Sequence, residues 1–464
     1  MISKAMAQTV LNLGLATGAD FAEIYIEENN GTTLSLDNGK IEEIGSSLSY
    51  GAGIRLLNKL QSVYGYTNDV SLKGLSKLAE SLSKSYKGPQ TVRVQAIEKV
   101  RISKHHQSEI PLVGVSKADK IALIKEVGKV ISDYDPRIVR AQVMFSNSHK
   151  IVTLFNSDGK EFHDERSRAR MYLLAVASEN GQIETSGEGP GAQAGLEFFT
   201  KGIDFKKKAK EVAETAIKML SADECPSGKM PVVIGNGFGG VIFHEACGHA
   251  LEATSVSKKL SVFTDKLGTL IANPIITAID DGTIENGWGS GNIDDEGHVT
   301  QKNVLIENGI LKSYLVDDFN GRRMAIKGNG ASRRQNYRFE PTSRMSNTYI
   351  ANGTSTPEEI IAATKFGLYA KSMGGGSVNP ATGDFNFAVS EAYMIRDGKI
   401  AEPVKGATLI GNGADILKKI DMVANDLERA QGMCGSVSGS IPVDVGQPTI
   451  RVSEITVGGR GGAL

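Results

Sequence analysis

Apolar residues in the first part of the chain recur with two different periods. In "MISKAMAQTVLNLGL" the positions Ile2, Met6, Val10 and Leu13 lie three or four apart with polar residues between, the spacing of a helix with one apolar face. The runs "FAEIYIEE", "GTTLSLDNGKIEEI" and "YGAGIRLLNKLQSVYGYTND" read as strands punctuated by Asn-Gly and Gly, which predicts an antiparallel meander. Helical spacing returns at roughly 71 to 86 and 116 to 133. After it, "RAQVMFSNSHKIVTLFNSDGKEF" alternates about Asn-Ser and Ser-Asp-Gly, the pattern of a hairpin. "FKKKAKEVAETAIKML", residues 205 to 220, predicts an amphipathic helix, and "SADECPSGKMP" after it has the composition of a boundary.

Beyond that boundary the texture changes. Glycine rises from 20 of the first 230 residues to 33 of the remaining 234, in runs such as "GWGSGNIDDEGH" and "KSMGGGSVNPATGDF". Turn-rich β structure with one or two helices is expected there. The predicted class is α+β: an N-terminal α/β domain over 1–222 with an antiparallel sheet and helices, and a β-rich domain over 223–464.

A length of 464 residues exceeds one ordinary core and agrees with such a division. With 40% hydrophobic and 23% charged residues and a formal net charge of −1, the chain has neither the composition of disorder nor a basic field for nucleic acid. Cys225, Cys247 and Cys434 have no framework spacing, which favours a reducing compartment over a secreted disulfide scaffold. The N-terminus lacks the apolar core of a signal peptide, and no later run is long and apolar enough to span a bilayer. A soluble cytoplasmic protein is expected, with neither a membrane nor nucleic acid as partner.

The chemistry concentrates in "FHEACGH", residues 243 to 249. His244 is followed by Glu245, and the second histidine, His249, comes five positions on, where the zinc-peptidase motif H-E-x-x-H places it four on. Residues four apart are about 40° apart around an α-helix and residues five apart about 140°, so an intact helix would not chelate with both. A metal reading therefore predicts a distorted helix, and Gly248 is a residue type that lets a turn widen. Two imidazoles and a third ligand would then hold the ion, with Glu245 as general base.

Spacing leaves the third ligand open among Cys247, Glu252, His298 and Cys434, with Glu252 better suited as a partner of a ligand. A competing reading uses Gly235, Gly237 and Gly240, which satisfy G-x-G-x-x-G with Asp265 some way downstream, as a dinucleotide-binding fingerprint of an oxidoreductase. Gly-rich hairpins follow where βαβ units are required, so glycines that let the helix start close to a strand are the plainer account. Arg322, Arg323, Arg333, Arg334 and Arg338 either bind a substrate carboxylate terminus or form a solvated or domain-bridging basic stretch, the more usual role.

With "FHEACGHALEAT" (243–254), "RMSNTYI" (344–350), "GGGSVNPATGDFNF" (374–387), "PVKGATLIGNG" (403–413), "GMCG" (432–435) and "VGQPTIRVSEITVGG" (445–459), the chain resembles the TldD/PmbA family of cytoplasmic metallopeptidases, in its branch with the H-E-x-x-x-H motif. "GADFAEIYIE" extends the resemblance to the N-terminal part. The resemblance implies one divalent transition metal per chain, zinc above others, bound by His244, His249 and Cys434, with Glu245 as catalytic base. It implies a β-rich, barrel- or sandwich-like C-terminal domain carrying the histidine helix, and a homodimer or a heterodimer with a PmbA/TldE-like subunit. Unfolded or short peptides are the implied substrates. The edge formed by Gly374, Gly375, Gly376, Ser377 and Val378 is a candidate for binding a peptide by strand addition. The rival within the family is a non-catalytic peptide-binding or modulator subunit.

Overall fold

Side-chain caps start the four helices of the N-terminal part. The structure is a computed structural model that describes residues 2–106, 108–379 and 382–463; Pro380 and Ala381, inside the stretch 374–387, lie outside the described residues. Helices α1 (Lys4–Leu15), α2 (Leu72–Ser83), α3 (Lys117–Ser132) and α4 (Phe205–Leu220) follow Ser3, Ser71, Ser116 and Asp204. Each cap oxygen accepts the backbone N–H three residues on, an arrangement worth about 0.5–2 kcal/mol. Helix α2 ends before the expected 86 because Tyr86 turns inward, its hydroxyl donating to the carbonyls of Leu56 and Gln61.

Strands β1 (Phe21–Asp37), β2 (Lys40–Asn58), β3 (Gln61–Thr67), β4 (Ile138–Asn156), β5 (Lys160–Glu179) and β6 (Gln182–Glu188) form one antiparallel sheet in the order β3-β2-β1-β4-β5-β6. Two expected turns are absent. Asn30-Gly31 lies inside β1 and Asn147-Ser148 inside β4, each paired on both edges. The other expected turns form: the hairpins turn at Asn38-Gly39, both with positive φ, and at Ser157–Gly159, where Gly159 has φ +74. A ladder on both edges outweighs a dipeptide's turn preference, because turning there would strip the backbone of its partners.

The long strands serve two cores. The first half of β1 and the ends of β2 and β4, with α1 and α2, bury Val10, Leu11, Ile24, Ile54, Leu75 and Phe155. The other halves of β1 and β4, with β5, bury Leu36, Val143, Phe145 and Leu173 against Ile124, Phe205 and Val212 of α3 and α4.

From residue 223 on strand outweighs helix, and with the helices and sheet of the N-terminal part this is the α+β class expected from the sequence. Strands β7 (Gly228–Ile234), β8 (Ala278–Asp281), β9 (Asn347–Ile350), β10 (Phe366–Val378), β11 (Asp384–Arg396), β12 (Thr408–Asn412), β13 (Glu428–Ser436), β14 (Gly439–Gln447) and β15 (Ile450–Gly458) carry the site. The neighbours β10-β7-β15-β12-β11 close on themselves through β10–β11 pairing into a barrel. A second sheet runs β8-β9-β14-β13. Short helices at Asp318–Met324, Pro357–Ala362 and Gly413–Lys419 exceed the one or two expected; Asp317, Thr356 and Asn412 cap them. Strand β7 pairs parallel to β10 and antiparallel to β15, so the doubly wound sheet of a dinucleotide-binding fold does not form around the glycines.

Candidate metal centre

After Ile234 the chain leaves the barrel through its glycines. A side chain at Gly235 would collide with the Lys371 carbonyl and one at Gly240 with the backbone of Gly446, while Gly237 has φ +62. Two of the three glycines thus permit close approach and one a left-handed turn, which is the plainer account of G-x-G-x-x-G. The following helix changes pitch along its length: a 3₁₀ turn over Gly237–Gly240, an α turn over Val241–Phe243, a π turn over His244–Gly248 and a 3₁₀ turn over His249–Leu251. The π turn is closed by the N–H of His249 donating to the carbonyl of His244. An i→i+5 bond stacks residue 249 over residue 244, and the two rings lie 5.1 Å apart at 81°.

Gly248 contributes in another way than expected. Its φ of −56 and ψ of −50 suit any residue. A side chain there would strike the sulfur of Met345, so glycine serves packing against the segment just ahead of β9.

Cys434 enters from β13, opposite Ile441 on β14. Its Sγ lies 3.3 Å from Nε2 of His244 and 3.3 Å from Nε2 of His249. Fully buried Arg344 donates to the Cys434 carbonyl and to Ser438 Oγ and the Gly439 carbonyl, clamping the end of β13 that carries the thiol to the turn before β14. Burial alone would raise the Cys434 thiol, but hydrogen bonds and charge from His244 and His249 outweigh it and hold the thiol down to about 4, so the sulfur is a thiolate at neutral pH. Burial also opposes a charged His249; the Glu252 carboxylate and the hydrogen bonds to Cys434 and Glu252 outweigh it and raise the imidazole well above its ordinary range.

Glu245 is partly exposed, its Oε2 3.7 Å from Nε2 of His249. Glu252 meets the other side of the same ring, Oε1 3.1 Å from Nδ1. The remaining third-ligand candidates point elsewhere. Cys247 is buried against the carbonyl of Gly413, and burial pushes its thiol far up. His298 pairs with Asp318 at 2.8 Å. Of the four candidates, then, Cys434 alone approaches both imidazole Nε2 atoms.

The π turn packs against β10 and β11. β10 pairs with β7 only as far as Ala370, while its pairing with β11 continues to Val378. Among the described residues its other edge has no strand partner over 371–378, the segment that contains Gly374, Gly375, Gly376, Ser377 and Val378. Gly376 leaves room for the ring of Phe387, whereas a side chain at Gly375 would meet open space.

The arginine cluster holds the two halves of the chain together. Arg322 donates to Asp20, Arg323 to the Leu60 carbonyl and Arg334 to Glu23. Arg333 reaches the carbonyls of Met345 and Pro442, and Arg338 the hydroxyl of Tyr337. The role of Arg344 had no signal in spacing; only its membership of "RMSNTYI" marked it.

Models described as PmbA/TldA metallopeptidase domain 1, central domain and C-terminal domain match residues 22–85, 110–220 and 227–459 in that order. The metalloprotease TldD homolog of Haemophilus influenzae is 37% identical over 468 residues, 98% of this chain and 97% of its own. The zinc metalloprotease TldD homolog of Saccharolobus solfataricus is 25% identical over 452 residues, 95% of this chain and 97% of its own. Among solved structures, TldE from Thermococcus kodakarensis shares the fold, with a TM-score of 0.77 at 18% identity over 97% of this chain and 99% of that chain.

Proposed function

This chain belongs to the PmbA/TldD metallopeptidase family, and from that premise we propose that it hydrolyses peptide bonds in unfolded or short peptides, using a divalent ion held by His244, His249 and Cys434. The observation that carries the reading is the convergence of two imidazole Nε2 atoms on one thiolate sulfur, each at 3.3 Å. That donor set fits a transition ion, because two imidazoles and a cysteine are a zinc-type ligand set and the three ligand atoms lie within 4.8 Å of one another. Zinc is the ion of choice for two imidazoles and a thiolate, and a relative carries zinc in its name. When bound, the ion supplies Lewis acidity that polarises the scissile carbonyl and acidifies a water.

The protein's own part in the reaction falls to Glu245. Partly exposed beside His249, its carboxylate takes a proton from the attacking water and delivers one to the leaving amine. The open edge of β10 over 371–378 suits an extended peptide, which would pair through backbone groups and need no particular side chains. A folded chain has no free strand to offer, and this accounts for the substrate class. Assembly as a homodimer, or with a PmbA/TldE-like subunit in the cytoplasm, completes the proposal.

Metal content per chain by plasma mass spectrometry tests the reading. About one transition ion is expected in protein purified without chelator, lost in Cys434→Ala and kept in Glu245→Ala. Zinc-supplied protein that holds no ion would overturn it. For the peptide edge, N-methylation of single substrate amides should abolish cleavage while side-chain changes have little effect; the reverse pattern would remove strand addition.

A further inference from the structure

His249 keeps different company at its two ring nitrogens. Nε2 faces Cys434 Sγ at 3.3 Å and Glu245 at 3.7 Å, whereas Nδ1 meets Oε1 of Glu252 at 3.1 Å. Glu252 is only 4% exposed, unusual for a carboxylate. The chain arranges this contact by ending the helix there: Glu252 has φ −76 and ψ 130, an extended backbone directly after the last 3₁₀ turn. The peptide groups on either side are pinned, since Leu315 N–H donates to the Leu251 carbonyl at 3.0 Å and Ala253 N–H to the Leu315 carbonyl at 2.8 Å. His244 has no counterpart, its buried Nδ1 being without a hydrogen-bond partner.

Resting on the metal reading of this site, we infer that Glu252 is the positioning residue of the centre: it accepts the Nδ1–H of His249 and so holds that ring in the tautomer and orientation that present Nε2 to the ion. A carboxylate behind an imidazole fixes which nitrogen bears the lone pair and strengthens that nitrogen as a donor. Because Nδ1 and Nε2 lie on opposite sides of the ring, Glu252 stands away from Cys434 and is a partner of a ligand, not a fourth ligand. The two histidines therefore differ in kind, His249 oriented by a charge and His244 by packing alone.

Zinc affinity, measured by competition with a chromogenic chelator, separates this from a purely structural role, since it reads the centre without relying on turnover. Glu252→Ala is expected to bind zinc about 10–100-fold more weakly than the unaltered protein. Glu252→Gln, which keeps an oxygen acceptor and loses the charge, should fall between them. The thermal midpoint of each metal-free protein serves as the control for folding, and Glu252→Gln, nearly isosteric, keeps the test valid should Glu252→Ala fail to fold. In protein with ¹⁵N-labelled histidine, the zinc-loaded form should show an Nδ1–H signal for His249 that shifts or disappears in the variants. Unaltered protein that binds no zinc would sink the metal reading and this inference with it. Unaltered protein that binds tightly, with both variants equal to it, would overturn the inference alone.

Discussion

Two groups of three side chains bring ligand-type atoms within 4.8 Å of one another: His244, His249 and Cys434, and Glu296, His298 and Asp318. In the second group every contact is matched by the protein itself. Glu296 Oε1 accepts from fully buried Arg55 at 2.6 Å, Glu296 Oε2 from the N–H of Asp318 at 2.8 Å, and His298 Nε2 pairs with Asp318 at 2.8 Å. Arg55 also holds Glu23 at 2.8 Å, so the group braces β2 and β1 to the turn at 294–298. In the first group two imidazoles crowd one thiolate, and one buried ring nitrogen has no partner. Proximity is common to both; what separates a ligand set from an ionic brace is whether nearby cations and N–H groups already occupy the lone pairs.

The largest test of that contrast is Glu245→Gln, expected to lower peptide hydrolysis by about 10²–10⁴-fold with metal content unchanged, while Glu296→Gln leaves the ion in place. Metal content of both variants, set beside cleavage of an unstructured peptide, checks it. If Glu296→Gln lost the ion, the brace would have to be redrawn as part of the centre.

Next comes Arg55→Met, which strips a buried cation from Glu23 and Glu296 and should cost about 3–5 kcal/mol in urea unfolding while zinc still binds one to one. Arg344→Leu probes the other side. Its loss frees the carbonyls of Cys434 and Gly439, and a cost of about 1.5–3 kcal/mol is expected, together with weaker zinc binding than in the unaltered protein.

The smallest effect is a pH dependence in the brace. The hydrogen bond to Asp318 first, then the charges of Asp294, Asp318 and Glu296, outweigh burial and raise His298 from 6.5 to about 9. A folded-state value above the unfolded one means that the stabilisation is complete below about 6.5 and is lost as pH rises through about 9. The pair is partly exposed, so its contribution stays within about 1 kcal/mol. Thermal midpoints of the unaltered protein and His298→Asn should therefore converge between pH 6.5 and 9.5; a constant gap would count against the pair.

Much of the fold was legible along the chain, and the misses have a common cause. Ser116 and Asp204 mark where α3 and α4 begin, because a cap and its N–H partner are three residues apart. Asn38-Gly39 turns and Asn30-Gly31 does not, although the dipeptide is the same; Asn30 sits opposite Leu48 and His149 on strands that the dipeptide cannot anticipate. In the site, the spacing of His244 and His249 already required a widened turn. The role of Gly248 was misread because Met345, which needs its space, lies far away in sequence.

The amino-acid sequence by itself determined the local features: helix starts, the α+β class, and a histidine pair that only a distorted helix can converge. All of these depend on neighbours within about five residues, where the chain's own geometry limits the choices. Tertiary structure brought the Cys434 sulfur to both imidazoles, 185 and 190 residues away, set Glu252 behind His249, and paired the acidic cluster with Arg55 and His298. Those outcomes depend on pairing between distant strands, and once the strands are in register the backbone leaves each side chain only a few places to point.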